Sequence, residues 1–118
     1  MTWIGDSMDN NSDLIIVDEE VMEPAVAAPA WRVLVVDDDD DVHGATDFAI
    51  RDAVVLGRPI ETLHARSVQE ALTVAERVPD IAVAFIDVVM ETPDAGLLLV
   101  RALRDAGRSA MRIVLRTG

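Results

Sequence analysis

The chain has 118 residues, 51% of them apolar, enough for one modest core and a single domain. Its formal charge of −12 comes from 22 acidic residues against 10 basic ones, all arginine. That balance argues against nucleic-acid phosphates and anionic membranes as partners, and suits a divalent cation or a basic patch on a protein. With no cysteine, disulfides, thiolate zinc sites and thiol catalysis are excluded, and no apolar run approaches the ~20 residues a membrane span needs.

Residues 1–30 hold seven acids and no base. Met1 to Asp6 lacks the positive region of a signal peptide. The apolar cluster Leu14-Ile15-Ile16-Val17 is followed by Asp18-Glu19-Glu20 and then by a Pro/Ala-rich stretch from Pro24 to Pro29. This reads as an acidic, flexible extension, with the alternative that the Leu14–Val17 cluster docks on a sheet edge or a partner.

Residues 31–118 read as the folded unit. Trp31 to Val36 forms a first strand, and its unbroken apolar run marks it as buried on both faces. A helix is predicted from Val42 to Leu56, with Val42, Ala45, Ala49, Ala53 and Leu56 on one face, capped by Asp40 or Asp41 and stopped at Gly57-Arg58-Pro59. Ile60 to Ala65 is a second strand. Ser67-Val68-Gln69-Glu70 is a capping box that opens a second helix, which ends at Pro79. Ile81 to Ile86 is a third strand closed by Asp87, and a polar loop, Glu91 to Asp94, leads to a third helix from Ala95 to Gly107. Arg112 to Leu115 is a fourth strand. Strands alternating with helices predict a parallel α/β layout with right-handed crossovers.

Two of these strands run straight into acids. Five aspartates, Asp37 to Asp41, follow the first, and Asp87 follows the third. In an open parallel sheet ligands bind beyond the carboxyl ends of the strands. Closely packed carboxylates resist ionising together unless a cation sits among them, and hard oxygen ligands suit Mg²⁺. The plainer reading, a solvated turn that caps a helix, remains open from sequence.

In this order and spacing, Val33-Leu34-Val35-Val36-Asp37-Asp38-Asp39, Phe85-Ile86-Asp87-Val88-Val89-Met90 and Ile113-Val114-Leu115-Arg116-Thr117-Gly118 resemble the receiver domain of bacterial response regulators. The resemblance implies a flavodoxin-like, doubly wound parallel sheet of order 2-1-3-4, with the fifth strand and helix of the family missing. It implies that Asp87 accepts a phosphoryl group from a sensor histidine kinase or phosphotransfer protein. Asp37, Asp38 and Asp87 would hold Mg²⁺ together with the backbone carbonyl of Val89, and Thr117 would be the switch hydroxyl. Such a module is a phosphoryl acceptor of two-component signalling rather than a turnover enzyme. It would work in the cytoplasm and act on a C-terminal output domain, without contacting nucleic acid or membrane directly.

The chain departs from that family in having no lysine to reach the phosphoryl oxygens and in stopping after its fourth strand, so a fragment of a longer regulator is expected. Pro93 falls two residues after Glu91, and the loop to Gly96 is one residue longer than usual. Strand four is then an exposed edge, open to self-association. Two other functions compete. One is a degenerate receiver that only docks partners. The other is a haloacid-dehalogenase-like phosphatase, whose Asp-x-Asp-x-Val pattern Asp38-Asp39-Asp40-Asp41-Val42 satisfies. Among lesser signals, His43 is expected on a helix surface and His64 half-buried in the second strand. Arg101, Arg104 and Arg108 are expected to form a solvated face.

Overall fold

The computed structural model describes residues 28–117; the expectations for the Leu14–Val17 cluster and its surroundings fall outside them. Strand β1 (Trp31–Val36) is the middle of the sheet, and Val33 to Val36 are all buried. A strand with a neighbour on each side and helices on both faces needs apolar side chains in both directions, which is what this run supplies. It pairs in parallel with β3 (Arg58–Ala65) and with β4 (Ile81–Asp87). Strand β5 (Arg112–Arg116) pairs in parallel with β4, while the two-residue β2 (Val54–Val55) pairs antiparallel with β3. The order is β2-β3-β1-β4-β5. Setting β2 aside, this is the 2-1-3-4 order of the flavodoxin-like sheet expected from sequence.

Among the described residues three helices complete the layers: α1 (Asp40–Ile50), α2 (Val68–Arg77) and α3 (Ala95–Asp105). Leu34, Val36, Ala84 and Ile86 point to one face of the sheet, where they form a core with Ala71 and Ala75 of α2 and Leu99 and Leu103 of α3. The side chains between them in sequence, Val33, Val35, Val83 and Phe85, point the other way, as the period-2 alternation of a strand requires. No helix among the described residues is long and apolar enough to cross a membrane.

Several predicted boundaries change, and the second predicted strand starts at Arg58 rather than Ile60. The first helix ends at Ile50, not Leu56, because Val54 and Val55 leave it to pair with Arg58 and Pro59. Leu56 (φ 51°) and Gly57 (φ 75°) make the two-residue turn, with both central residues at positive φ as a tight hairpin demands. Trp31 secures the hairpin: its Nε1 donates to the Val55 carbonyl at 2.8 Å, and the Arg58 guanidinium stacks 3.5 Å over its ring. The cap of α1 is Asp39 rather than Asp40 or Asp41, its carboxylate accepting from the Asp41 N–H at 2.9 Å. The capping box of α2 is present, since Ser67 Oγ accepts from the Glu70 N–H, although Glu70 reaches back to the N–H of Arg66.

The arginines of α3 and its exit loop are also corrected. Arg108 donates to the carbonyls of Ala75, Val78 and Pro79, satisfying the carbonyl end of α2, and Arg104 donates to those of Arg108 and Met111. These two tie helix ends to loops instead of lying on a solvated face, whereas Arg101 is exposed on α3 as expected.

Candidate metal and phosphoacceptor site

The sheet register delivers the acids to one edge. Val36 of β1 is in register with Ile86 of β4, so Asp37 and Asp87 both stand one residue further along. Asp87 is itself in register with Arg116 at the end of β5. Asp37, Asp38 and Asp87 each offer a carboxylate oxygen within 4.8 Å of the others. Asp37 is buried, Asp87 half-buried and Asp38 exposed. Three hard oxygen donors at this spacing, open to solvent on one side, fit Mg²⁺, which takes few protein carboxylates and keeps several waters.

Local hydrogen bonds hold each carboxylate. Asp37 Oδ1 accepts from the Asp39 N–H at 2.9 Å, an Asx turn that swings the chain from β1 into the cap of α1. The Asp37 N–H donates to the Ala65 carbonyl at 3.1 Å, which ties the end of β1 to the end of β3. Asp87 Oδ1 accepts from the Val89 N–H at 3.3 Å. Val89 is exposed beside Asp87, and Thr117 is exposed just beyond β5.

The loop after Asp87 is clamped by α3. Gly96 N–H donates to the Val88 carbonyl at 2.9 Å, and a Cβ at Gly96 would run into the Asp87 carbonyl oxygen and lie 2.6 Å from Val88 Cα. Only glycine allows the helix start to come this close to the backbone at the end of β4. Glu91 crosses the same region, accepting from the Val68 N–H at the start of α2 at 2.9 Å.

Arg116 was assigned no role from sequence. Its Nη1 lies 3.2 Å from Asp37 Oδ2 and 3.8 Å from Asp87 Oδ2, a cation set between carboxylates of two strands. The signal that finds it is alternation: along Arg112-Ile113-Val114-Leu115-Arg116, the first, third and fifth residues share a face, and register gives that face to Asp87.

His43 is buried, not on the helix surface. Its Nε2–H donates to the Asp37 carbonyl at 2.7 Å, and its Nδ1 lies 2.6 Å from Nδ1 of His64. His64, half-buried as expected, points Nε2 at both oxygens of Asp47 at 3.0 Å, and Thr62 Oγ1 donates to Asp47 Oδ1 at 2.6 Å. A carbonyl at one end and a carboxylate at the other only accept, so the two Nε2 atoms face acceptors while the two Nδ1 atoms face each other. The Thr62 hydroxyl, and then the neighbouring histidines, hold the Asp47 carboxyl below the usual carboxylate range against the opposing effect of burial. Histidine spacing in sequence hid this chain of contacts, because 21 residues separate rings that β3 and α1 bring together.

Asp40 has left the cluster. It belongs to the first turn of α1 and pairs with Arg66, whose hydrogen bond and charge hold its carboxyl below the usual range. The Asp38 and Asp40 carboxylates of the phosphatase-like pattern are thus not presented as a pair.

No family model matches the chain. Its sequence is 40% identical over 123 aligned residues to the 3'3'-cGAMP-specific phosphodiesterase 2 of Vibrio cholerae; the alignment covers all of this chain but only 24% of that protein. Its fold is similar to the crystal structure of a response regulator receiver protein from Pseudomonas putida, with a TM-score of 0.64 and 26% identity over 77% of this chain and 73% of the other. Strand order, the acids gathered at the carboxyl edge and these two likenesses agree: the chain has the fold of a response regulator receiver domain.

Proposed function

We propose that this receiver accepts a phosphoryl group on Asp87, with Mg²⁺ held by Asp37, Asp38, Asp87 and the Val89 carbonyl. The observation that carries the reading is the meeting of three carboxylates from two strands within 4.8 Å. Phosphoryl transfer needs positioning and neutralisation of charge more than covalent chemistry from the protein. A carboxylate nucleophile is already ionised at neutral pH and needs no general base. When bound, Mg²⁺ supplies charge to the phosphoryl oxygens. Asp37 is fixed by its Asx turn and Asp87 by the Val89 N–H, so both stay in place while the more exposed Asp38 completes the set. Thr117, just past β5, is the switch hydroxyl, and the response is a shift between two conformations.

The donor in this reading is a sensor histidine kinase or phosphotransfer protein in the cytoplasm. The module is an acceptor rather than a turnover enzyme, preceded by the acidic extension of residues 1–30. The chain spans a quarter of its curated relative, whose name is that of a cyclic-dinucleotide phosphodiesterase. That supports a C-terminal output domain of similar chemistry. Strand β5 is the outer strand of the described sheet, and such an edge admits another strand, whether from the same polypeptide or from a second copy.

The test is intact-mass measurement after treatment with acetyl phosphate and Mg²⁺. Wild type is expected to gain one phosphoryl group, and Asp87→Asn none. Phosphorylation of Asp87→Asn, or a wild type that stays unmodified, overturns the assignment and leaves a receiver that only docks partners. Mg²⁺ at a hundred times its Kd should add about 2.7 kcal/mol of stability by mass action.

A further inference from the structure

Arg116 carries an inference beyond the acceptor assignment. The Asp37 side chain is almost wholly buried, whereas that of Arg116 is 57% exposed, so the guanidinium reaches the site from solvent over the sheet rim. Its direction is set by β5: Arg116 shares a register row and a face with Asp87. An exposed ion pair is ordinarily worth little. Here one cation faces two carboxylates on separate strands, one of them out of water, where its field is screened least.

We propose that Arg116 is the second cation of this site. With no metal bound it neutralises Asp37 and Asp87, and on transfer it binds the phosphoryl oxygens on Asp87. The proposal rests on Asp87 being the acceptor. In the step, an Asp87 carboxylate oxygen attacks the phosphorus of an acyl phosphate. The new O–P bond forms as the bond to the leaving carboxylate breaks, the electron pair departs with that carboxylate, and no proton moves. The site goes from three negative charges, on Asp37, Asp38 and Asp87, to four: two carboxylates and a dianionic phosphoryl group. A divalent cation offsets two of these. The guanidinium, a fork of donors matched to phosphate and 3.8 Å from the Asp87 oxygen, offsets a third. Since the chain contains no lysine, arginine is the cation its own residues supply.

The experiment compares wild type, Arg116→Gln, Arg116→Lys and, as a control on the same strand and face, Arg112→Gln, all in the whole chain. Mg²⁺ affinity is read from thermal shifts without a phosphoryl donor, and phosphoryl incorporation from acetyl phosphate by intact mass. Arg116→Gln is expected to bind Mg²⁺ several-fold tighter, because a competing charge has gone, yet to incorporate phosphate at least about tenfold more slowly. Arg116→Lys should recover most of the rate, and Arg112→Gln should match wild type in both. A merely structural role would not tighten metal binding while slowing transfer. Wild-type rate and unchanged Mg²⁺ affinity in Arg116→Gln overturn the proposal and leave Asp87 as acceptor. A wild type that takes no phosphate overturns both.

Discussion

The two faces of the sheet are finished to different degrees. Against α2 and α3, Leu34, Val36, Ala84 and Ile86 are all fully buried. Against α1, Val33 and Val35 are covered, but Phe85 remains 43% exposed and Val114 46%. One helix cannot roof a face that two helices roof on the other side. Grooves of about 230 and 370 Å³ remain beside α1, lined by residues such as Ile50, Phe85, Val114 and Trp31. The acids and Arg116 sit at the rim of this open face, whereas the closed face carries the packing. The packed core and the acid cluster therefore lie toward opposite sides of the same strands.

Neighbouring residues of β4 test that contrast most strongly. Ile86→Ala removes a fully buried side chain and is expected to cost about 2–5 kcal/mol in urea unfolding. Gly96→Ala comes next, at about 1–3 kcal/mol, because the new methyl meets backbone that cannot yield as a side chain does. It should also weaken the thermal shift caused by Mg²⁺, since the displaced atoms belong to Asp87 and Val88. Phe85→Ala, one residue from Ile86 but on the open face, should cost less than about 1 kcal/mol and lower the binding of an apolar dye. Equal losses at Ile86 and Phe85 would erase the distinction between the faces.

The smallest effect concerns how α1 is held where apolar cover is thin. Asp47 is held below its usual pKa range first by the Thr62 hydroxyl, so its contribution is present above the unfolded value of about 3.9 and fades as pH falls through the lower folded one. Thr62→Val should therefore lose a few tenths of a kcal/mol near neutrality, discounted for the exposure of Asp47, with the gap to wild type closing below about pH 4. A gap that widened in acid would contradict this assignment.

Much of the fold was legible because each strand declared its surroundings. A run such as Ile81 to Ile86 tolerates no polar side chain when both faces are covered, and the Ser67 cap and Gly107 marked helix ends by local chemistry. The end of α1 was not legible, because Ala53 and Leu56 continue its apolar period and only the pairing of Val54 and Val55 with β3 withdraws the segment. The burial of His43 escaped for a like reason: one histidine has no partner until another strand supplies it.

Sequence alone determined that acids follow two buried strands, since apolar composition reports burial locally and charge reports where burial stops. Only the tertiary structure decided which of those acids meet, that Asp40 turns away to Arg66, and that Arg116 stands between Asp37 and Asp87. Such distances depend on register between strands far apart in the chain, and register is settled by packing the whole sheet at once.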